Sequence, residues 1–498
     1  MKSRRVWAGK RSLEAVGGDG PRIAVVGTGM AALACVQSLA KKASSSAALG
    51  SARITLCTSR GKLATQMGPK NQSIPQPGKP YFDYGCQYFT ADDPWFAEEV
   101  ERWASLGYIQ ALPSGEVGMI SAKDGFSPTS GAKCWVGNGG MGPASTKLIE
   151  QTVHEFKGVV EHVAGFPDAD MAVKGLTKMA DGWQLSTKGG SKLGPFDFVI
   201  GGFAQHVLTD PFLLSGGQAC EPMLKCLRRV ESNQLIPIQV SFGGEPLPAN
   251  FTAAHVYGEP SLGFISNNSC KPQQNGRLGT NGPSHWTLLS TAEFAESEFH
   301  SNAKGYKQAA EKQMLGALAR VLGVSNLSDH KPSINRVNHW EDGLAVNSPP
   351  QSRGCLFDAK EQLGWVGDFC VQPGVQGAAL SGRAMAETLD EFLNSGTHGS
   401  FDQRALLPAD EDWVPFASKM MVDATLMDIG AFSPKLGLDS QYTHTDLVPS
   451  AVGGYNVAAG IVGAGTVKGG GNSKGKGKSK GKGKGKGKSK GKSENSWS

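Results

Sequence analysis

With 498 residues the chain is long enough for two or three domains, and 39% hydrophobic with 8% aromatic residues suits a globular protein with a large core, which excludes a wholly disordered or fibrous one. The formal charge of +6 is concentrated in 468–498, where eleven lysines meet one acid, so the preceding residues carry −4 and nothing in them argues for nucleic-acid binding. No apolar run reaches the roughly 18 residues that a transmembrane helix needs.

Residues 1–20 carry Lys2, Arg4, Arg5, Lys10 and Arg11 without the apolar stretch of a secretory signal. They read as a disordered basic arm, with an organelle presequence as the alternative. Nine cysteines, odd in number and with no CxxC pair, argue against a disulfide framework and for a reducing compartment. An intracellular, preferably cytoplasmic, location is expected.

The first element is Arg22-Ile23-Ala24-Val25-Val26, a β-branched run expected to form a buried parallel strand. After Gly27, apolar residues recur at helical spacing from Met30 to Ala40 and end on Lys41-Lys42, whose charges suit a helix C-terminus. Ile54 to Cys57 predicts the second strand. The Gly-, Pro- and Lys-rich stretch 61–80 predicts a long loop.

A helix is expected over 92–106, capped by Asp92 or Asp93 with Pro94 in its first turn, then strand and turn material to Lys133. Met141 opens another helix running to about Phe156. Strands follow at 159–163, 183–186, 196–200, 234–242 and 285–290. The segment 307–322 is an amphipathic helix with Ala310, Met314, Ala317, Leu318 and Val321 on one stripe. A short strand at 364–368 and a helix over 377–393 complete the pattern. The Lys-Gly repeat from Lys474 cannot bury apolar surface and is expected to be disordered.

Gly27-Thr28-Gly29-Met30-Ala31-Ala32 matches G-x-G-x-x-A between a strand and a helix. Gly27 suits the tight turn, Gly29 lets backbone approach a phosphate, and Ala32 keeps helix and strand close. The helix start then offers N–H groups to a pyrophosphate, while a plain structural turn is the alternative. A carboxylate for the ribose hydroxyls normally ends the second strand; Cys57-Thr58 stands there instead.

In these and the following segments, running in order over 22–393, the chain resembles the renalase-like branch of the flavin-dependent amine oxidoreductases, which share the fold of p-hydroxybenzoate hydroxylase and monoamine oxidase. Phe82-Asp83-Tyr84-Gly85-Cys86-Gln87-Tyr88-Phe89-Thr90 is similar to the F-D-x-G-A-Q-Y-F-T signature, with Cys86 for Ala. The resemblance implies FAD as cofactor, contacted by Gly27, Gly29, Met30, Ala31, Ala32, Thr58, Lys62 and Gln87. Lys62 and Gln66 stand where the family usually has Arg.

Trp135-Val136-Gly137-Asn138-Gly139-Gly140-Met141 is similar to the family's glycine-rich turn. Gly367-Asp368 with Val375-Gln376-Gly377-Ala378-Ala379-Leu380-Ser381-Gly382 resembles its last flavin motif, with Gln376 for Glu. Gly367, Asp368, Gln376, Gly377 and Ala378 are therefore expected at the cofactor. Val337-Asn338-His339-Trp340-Glu341-Asp342-Gly343 occupies the place of an Arg-Trp-Arg-Tyr-Ala run whose arginines are absent here.

The pocket candidates are Gln87, Tyr88, His339 and Trp340, with core filling the alternative for the aromatics and plain packing for His339. No catalytic residue is assigned beyond these, and no metal is expected. The expected fold is α/β: a discontinuous Rossmann-type FAD-binding domain (21–90, 133–205 and 340–395) and an antiparallel-sheet substrate domain (91–132 and 206–339). A weakly structured extension (396–467) and the disordered Lys-Gly tail (468–498) follow. The implied function is FAD-dependent oxidation of a reduced nicotinamide or amine donor, with oxygen as acceptor. The alternative is a catalytically degenerate protein of the same fold, tethered to an anionic partner by its tail.

Overall fold

The β-branched run at the start becomes the strand Arg22–Val26, whose last four residues are buried. It pairs in parallel with Arg53–Thr58 on one side and with Phe198–Gly201 on the other. Val160–Ala164 extends the sheet in parallel beyond Arg53–Thr58, Leu363–Trp365 does so beyond Phe198–Gly201, and Leu356–Asp358 closes that edge antiparallel. The computed structural model describes residues 20–27, 29–58, 82–83, 85–129, 133–165, 169–203, 206–271, 283–302, 304–350, 353–395, 406–408, 410–416, 447–449 and 455–457. The expected loop at 61–80, with Lys62 and Gln66, lies outside them, as do residues 1–19, most of the 396–467 extension and the Lys-Gly tail.

Helix Met30–Ala43 covers one face of this sheet and is buried at every position from Met30 to Ala40. Alternation along the strands divides the core: Ile23, Val25, Ile54 and Leu56 pack toward this helix, while Ala24, Val26 and Cys57 pack on the opposite side with Trp365. The expected strand 196–200 is split in two. Asp197 accepts the backbone N–H of Arg22 at 2.7 Å and its guanidinium at 2.7 Å, and this pinning separates Lys192–Phe196 from Phe198–Gly201. Lys192–Phe196 joins Gly182–Thr187 and Val173–Met179 in an antiparallel three-stranded sheet.

The expected strand 234–242 also divides, because Ile236 leaves the ladder to donate its N–H to Ser290 Oγ and Pro237 has no N–H to give. Ser232–Leu235 pairs with Trp340–Ala345, whereas Pro237–Phe242 enters a seven-stranded sheet. In order, that sheet contains Pro332–Val337, Pro237–Phe242, Ser284–Leu289, Phe264–Asn267, Ala253–Tyr257, Val117–Ser121 and Gly125–Pro128. Its ladders are antiparallel except the parallel pair Ala253–Tyr257 with Val117–Ser121.

Helices Ala292–Ser301 and Tyr306–Val321 cover one face of this sheet. The second buries the stripe Ala310, Met314, Ala317, Leu318 and Val321. Val117, Ala253, Phe264 and Leu289 on the other face share an apolar cluster with Tyr88. The architecture is thus α/β, a Rossmann-type sheet with a second, largely antiparallel one. Among the described residues no helix is long and apolar enough to cross a membrane, and no disulfide joins any of the nine cysteines.

Helix Val375–Ser395 packs on Met30–Ala43 through Gly382. A Cβ there would stand 2.3 Å from the Ala31 carbonyl oxygen and 2.5 Å from the Cys35 nitrogen, both backbone atoms that cannot turn aside. Gly382→Ala should therefore destabilise the protein by about 1–3 kcal/mol, read as a lower urea midpoint. An unchanged midpoint would mean that the two helices can separate at no cost.

Candidate functional site

At the end of the first strand the Gly27 N–H donates to Cys57 O at 3.0 Å, and the Gly202 N–H donates to Val26 O at 2.8 Å. A Cβ on Gly27 would stand 2.9 Å from both the Ala32 side chain and Gly202 O, so the turn is closed against its own sheet. On Gly29 the nearest atom to such a Cβ among the described residues is Gly202 O at 3.9 Å, so no described residue crowds that side. Gly29 is the N-cap of Met30–Ala43, with no side-chain cap and no acid in the first turn. Met30, Ala31 and Ala32 thus begin a helix whose first N–H groups have no side-chain acceptor among the described residues, an arrangement suited to an anion.

The second strand ends differently from the usual ribose site. Cys57 faces away from the helix, and burial pushes its thiol up to about 12. The Thr58 hydroxyl is 2.8 Å from His162 Nε2, and burial lowers the His162 pKa. Neither residue offers a carboxylate. Lys62 lies outside the described residues.

Asp83 is completely buried, and its interactions organise the centre of the molecule. Its Oδ1 accepts the Met141 N–H at 2.8 Å, capping helix Met141–Glu155, whose own N-cap is Gly140. Its Oδ2 pairs with Lys271 Nζ at 2.9 Å, and Lys271, only 1% exposed, also donates to Gln87 Oε1 at 3.0 Å and Asn268 Oδ1 at 3.1 Å. Gln87 Nε2 donates to the carbonyls of Asp83 and Gly85. Asn268 donates in turn to Thr287 Oγ1, which itself donates to Asp83 O. Gln87 is therefore part of this network, and Tyr88 beside it reaches His255 Nε2 at 3.1 Å.

In the last motif the helix begins at Val375, two residues before the expected start. The Asp368 carboxylate accepts the N–H groups of Phe369 at 3.0 Å and Gly374 at 3.3 Å, and burial raises its pKa although the residue keeps some exposure. Gly367 donates to Ser381 Oγ. A Cβ on Gly377 would meet Gln372 O at 1.8 Å, and Ala378 donates to Gly374 O. Gln376 Oε1 accepts the N–H groups of Asp92 at 2.6 Å and Asp93 at 2.9 Å. It holds the entry to helix Pro94–Ser105, where Asp93 is the N-cap.

The 337–343 run separates its two candidates. His339 stacks on Phe299 at 3.7 Å with Nε2 2.9 Å from Gln234 Oε1, and burial lowers its pKa. Trp340 instead packs on the cluster that contains Tyr88, Leu235, Phe264 and Leu344. The structure thus groups Tyr88 with Trp340, places Gln87 in the polar network beside them, and assigns His339 to a separate aromatic stack.

A cavity of about 290 Å³ lined by Leu112, Val117, Thr129, Lys133 and Cys134 adjoins the Tyr88 and Trp340 cluster through Leu112, Val117 and Cys134. None of the described residues of the glycine turn lines it. Sequence reasoning missed Lys271, Asn268, Thr287 and His255; a lysine just after Asn267-Asn268-Ser269-Cys270 carries no pattern that predicts burial. Among the described residues no group of three His, Cys, Asp or Glu side chains could hold a metal ion.

The chain matches no protein-family model. Its architecture is similar to an oxidoreductase from Methanosarcina mazei, at 10% identity and a TM-score of 0.50, over 74% of this chain and 100% of that one. Cyclohexylamine oxidase from Brevibacterium oxydans aligns at 11% identity and 0.49, over 75% and 100%. A putrescine oxidase bound to putrescine aligns at 10% and 0.46, over 74% and 99%. At these identities the likeness is one of fold.

Lys271→Met would leave Asp83 charged and buried without its partner, a change that typically costs about 3–5 kcal/mol. We expect a correspondingly lower urea midpoint, with much of the loss recovered in Lys271→Met/Asp83→Asn; full stability of the single variant would show that the pair holds nothing. A second expectation concerns pH. Because His162 is held neutral below its usual 6.5 in the folded state, the unfolded chain takes up more protons as pH falls through that value, so stability is lost on acidification. His162→Gln should flatten the slope of stability against pH just below 6.5, and an unchanged slope would assign that dependence to other groups.

Proposed function

We propose that this protein is an FAD-dependent oxidoreductase, renalase-like in its donor, taking a hydride from a reduced nicotinamide with oxygen as the terminal acceptor. The observation that carries the reading is the glycine turn: tight against its own sheet at Gly27, Ala32 and Gly202 and, among the described residues, open at Gly29 and leading into a helix start with no side-chain cap. These residues fit a pyrophosphate. The N–H groups of Met30, Ala31 and Ala32 would hold it, while Asp368, already fixed by Phe369 and Gly374, would accept from the ribityl hydroxyls.

When bound, FAD supplies the ring that accepts the donor's hydride. The chain's own part is to orient the donor and exclude water from it. Trp340, only partly buried, offers a flat apolar face, and the Asp83, Lys271 and Gln87 network fixes the loop that carries the buried Tyr88 in the same cluster. No acid or base is needed for a hydride to leave a reduced nicotinamide, which accords with His339 being committed to Phe299 and Gln234. An amine is the other donor class consistent with the resemblance.

One observation favours a second reading, a non-catalytic relative that has lost the cofactor. At the end of the second strand, where a ribose carboxylate normally stands, the Cys57 thiol is turned away and Thr58 is engaged with His162. The visible absorption spectrum of the purified protein separates the two. The enzyme reading expects flavin bands as isolated or after incubation with FAD, bleached by NADH or NADPH in the absence of oxygen and regained in air. Gly29→Val, whose side chain has room only on the open side, should weaken FAD uptake at least about tenfold while leaving the thermal midpoint nearly unchanged. Absence of flavin uptake by the unaltered protein would overturn the reading.

A further inference from the structure

Beyond helix Val375–Ser395 the chain returns to the core. Within 406–416, Leu406 and Phe416 are fully buried and Trp413 is 9% exposed. Val414–Pro415 pairs antiparallel with Asn347–Ser348, and the Phe416 N–H donates to Val346 O at 2.9 Å. Asp410 pairs with Lys225 and Asp412 with Arg229 at 3.1 Å, but these ion pairs are open to solvent and screened by salt. The apolar anchors, more than the charges, hold the segment down.

The segment lies against the last flavin motif. Trp413 stacks on Phe369, with ring centroids 6.1 Å apart and planes 15° from parallel. Phe369 is fully buried in the turn Asp368–Cys370, and its own N–H donates to the Asp368 carboxylate at 3.0 Å. Its ring also lies so close to Gly367 that a Cβ there would stand 2.3 Å from Cε1. Phe369 is thus confined by Gly367 and by Trp413, and the backbone that carries Asp368 is fixed with it.

We infer that 406–416 is a strap in which Trp413 is a positioning residue for FAD: by confining Phe369 it holds the Asp368 carboxylate where the ribityl hydroxyls are received. Docking of the strap and binding of FAD then favour each other, and by linkage each strengthens the other by the same factor. The inference rests on the FAD reading above and adds a segment that lies outside every motif of that reading.

The test titrates FAD into the full-length apoprotein and its variants and follows amide exchange of 406–416 with and without FAD. Trp413 Nε1 has no acceptor among the described residues, so Trp413→Phe keeps a stacking ring and gives up no hydrogen bond. We expect Trp413→Ala to bind FAD at least about tenfold more weakly and Trp413→Phe to stay within about threefold of the unaltered protein. Met314→Ala, in the separate core beneath the seven-stranded sheet, controls for lost stability: its thermal midpoint should fall with FAD affinity nearly unchanged. In the unaltered protein, saturating FAD should slow exchange of the strap amides, Phe416 among them, by about tenfold or more.

Equal FAD affinity in Trp413→Ala and the unaltered protein would overturn the inference, as would an equally large loss in Met314→Ala or in Trp413→Phe. Strap exchange indifferent to FAD would overturn it without any variant, so the inference can be refuted even if Trp413→Ala does not fold. FAD uptake by the unaltered protein together with any of these results sinks the strap alone, whereas failure of uptake sinks the oxidoreductase reading itself.

Discussion

The buried pair of Lys271 and Asp83 is the interaction on which the centre of this molecule depends. Taking both charges out of water is costly, and the structure offsets that cost with several buried polar groups that converge on them. Asn268 and Gln87 complete the ammonium's shell, and the Met141 N–H takes the second carboxylate oxygen. Three parts of the chain are thereby joined at one point: the 82–90 loop, the start of helix Met141–Glu155 and the seven-stranded sheet. A lysine in such a network has little freedom to act on a substrate, so its role is to position the loop.

The glycine turn achieves order by the opposite means, through the absence of side chains. Gly27, Ala32 and Gly202 meet so closely that a methyl group at either glycine would collide, and Gly382 presses the last helix onto the backbone of the first. The first strand, its helix and the last motif are held together by steric exclusion, and the Lys42–Asp390 ion pair at 2.9 Å also joins the two helices. Such an arrangement leaves the helix start free to take an anion instead of a side-chain cap. Gln376 serves the same framework: its amide oxygen receives two backbone N–H groups ahead of Pro94 and ties the last helix to the Pro94–Ser105 helix.

Local pattern made much of this legible. The strand Arg22–Val26 follows from its continuous β-branched run, buried on both faces of the sheet, and the helix from Met30 and the stripe on Tyr306–Val321 follow from helical spacing. Boundaries failed where a distant residue decided them. Asp197 breaks a strand by binding Arg22, and Ile236 breaks another by binding Ser290, interactions spanning 175 and 54 residues.

The site was less legible than the fold for the same reason. Gln87 and Tyr88 stood out by motif, but their partners Lys271, just after the turn Asn268–Cys270, and His255, on the seven-stranded sheet, follow no spacing rule. His339 drew notice as a titratable group, yet its neighbour Phe299 converts it into a packing residue.

The most direct test of the account is a crystal structure of the protein grown with FAD. The pyrophosphate oxygens are expected within hydrogen-bonding distance of the backbone nitrogens at the start of helix Met30–Ala43, over Gly29. A flavin bound elsewhere, or a helix start closed by the protein's own atoms in crystals that bind none, would contradict it.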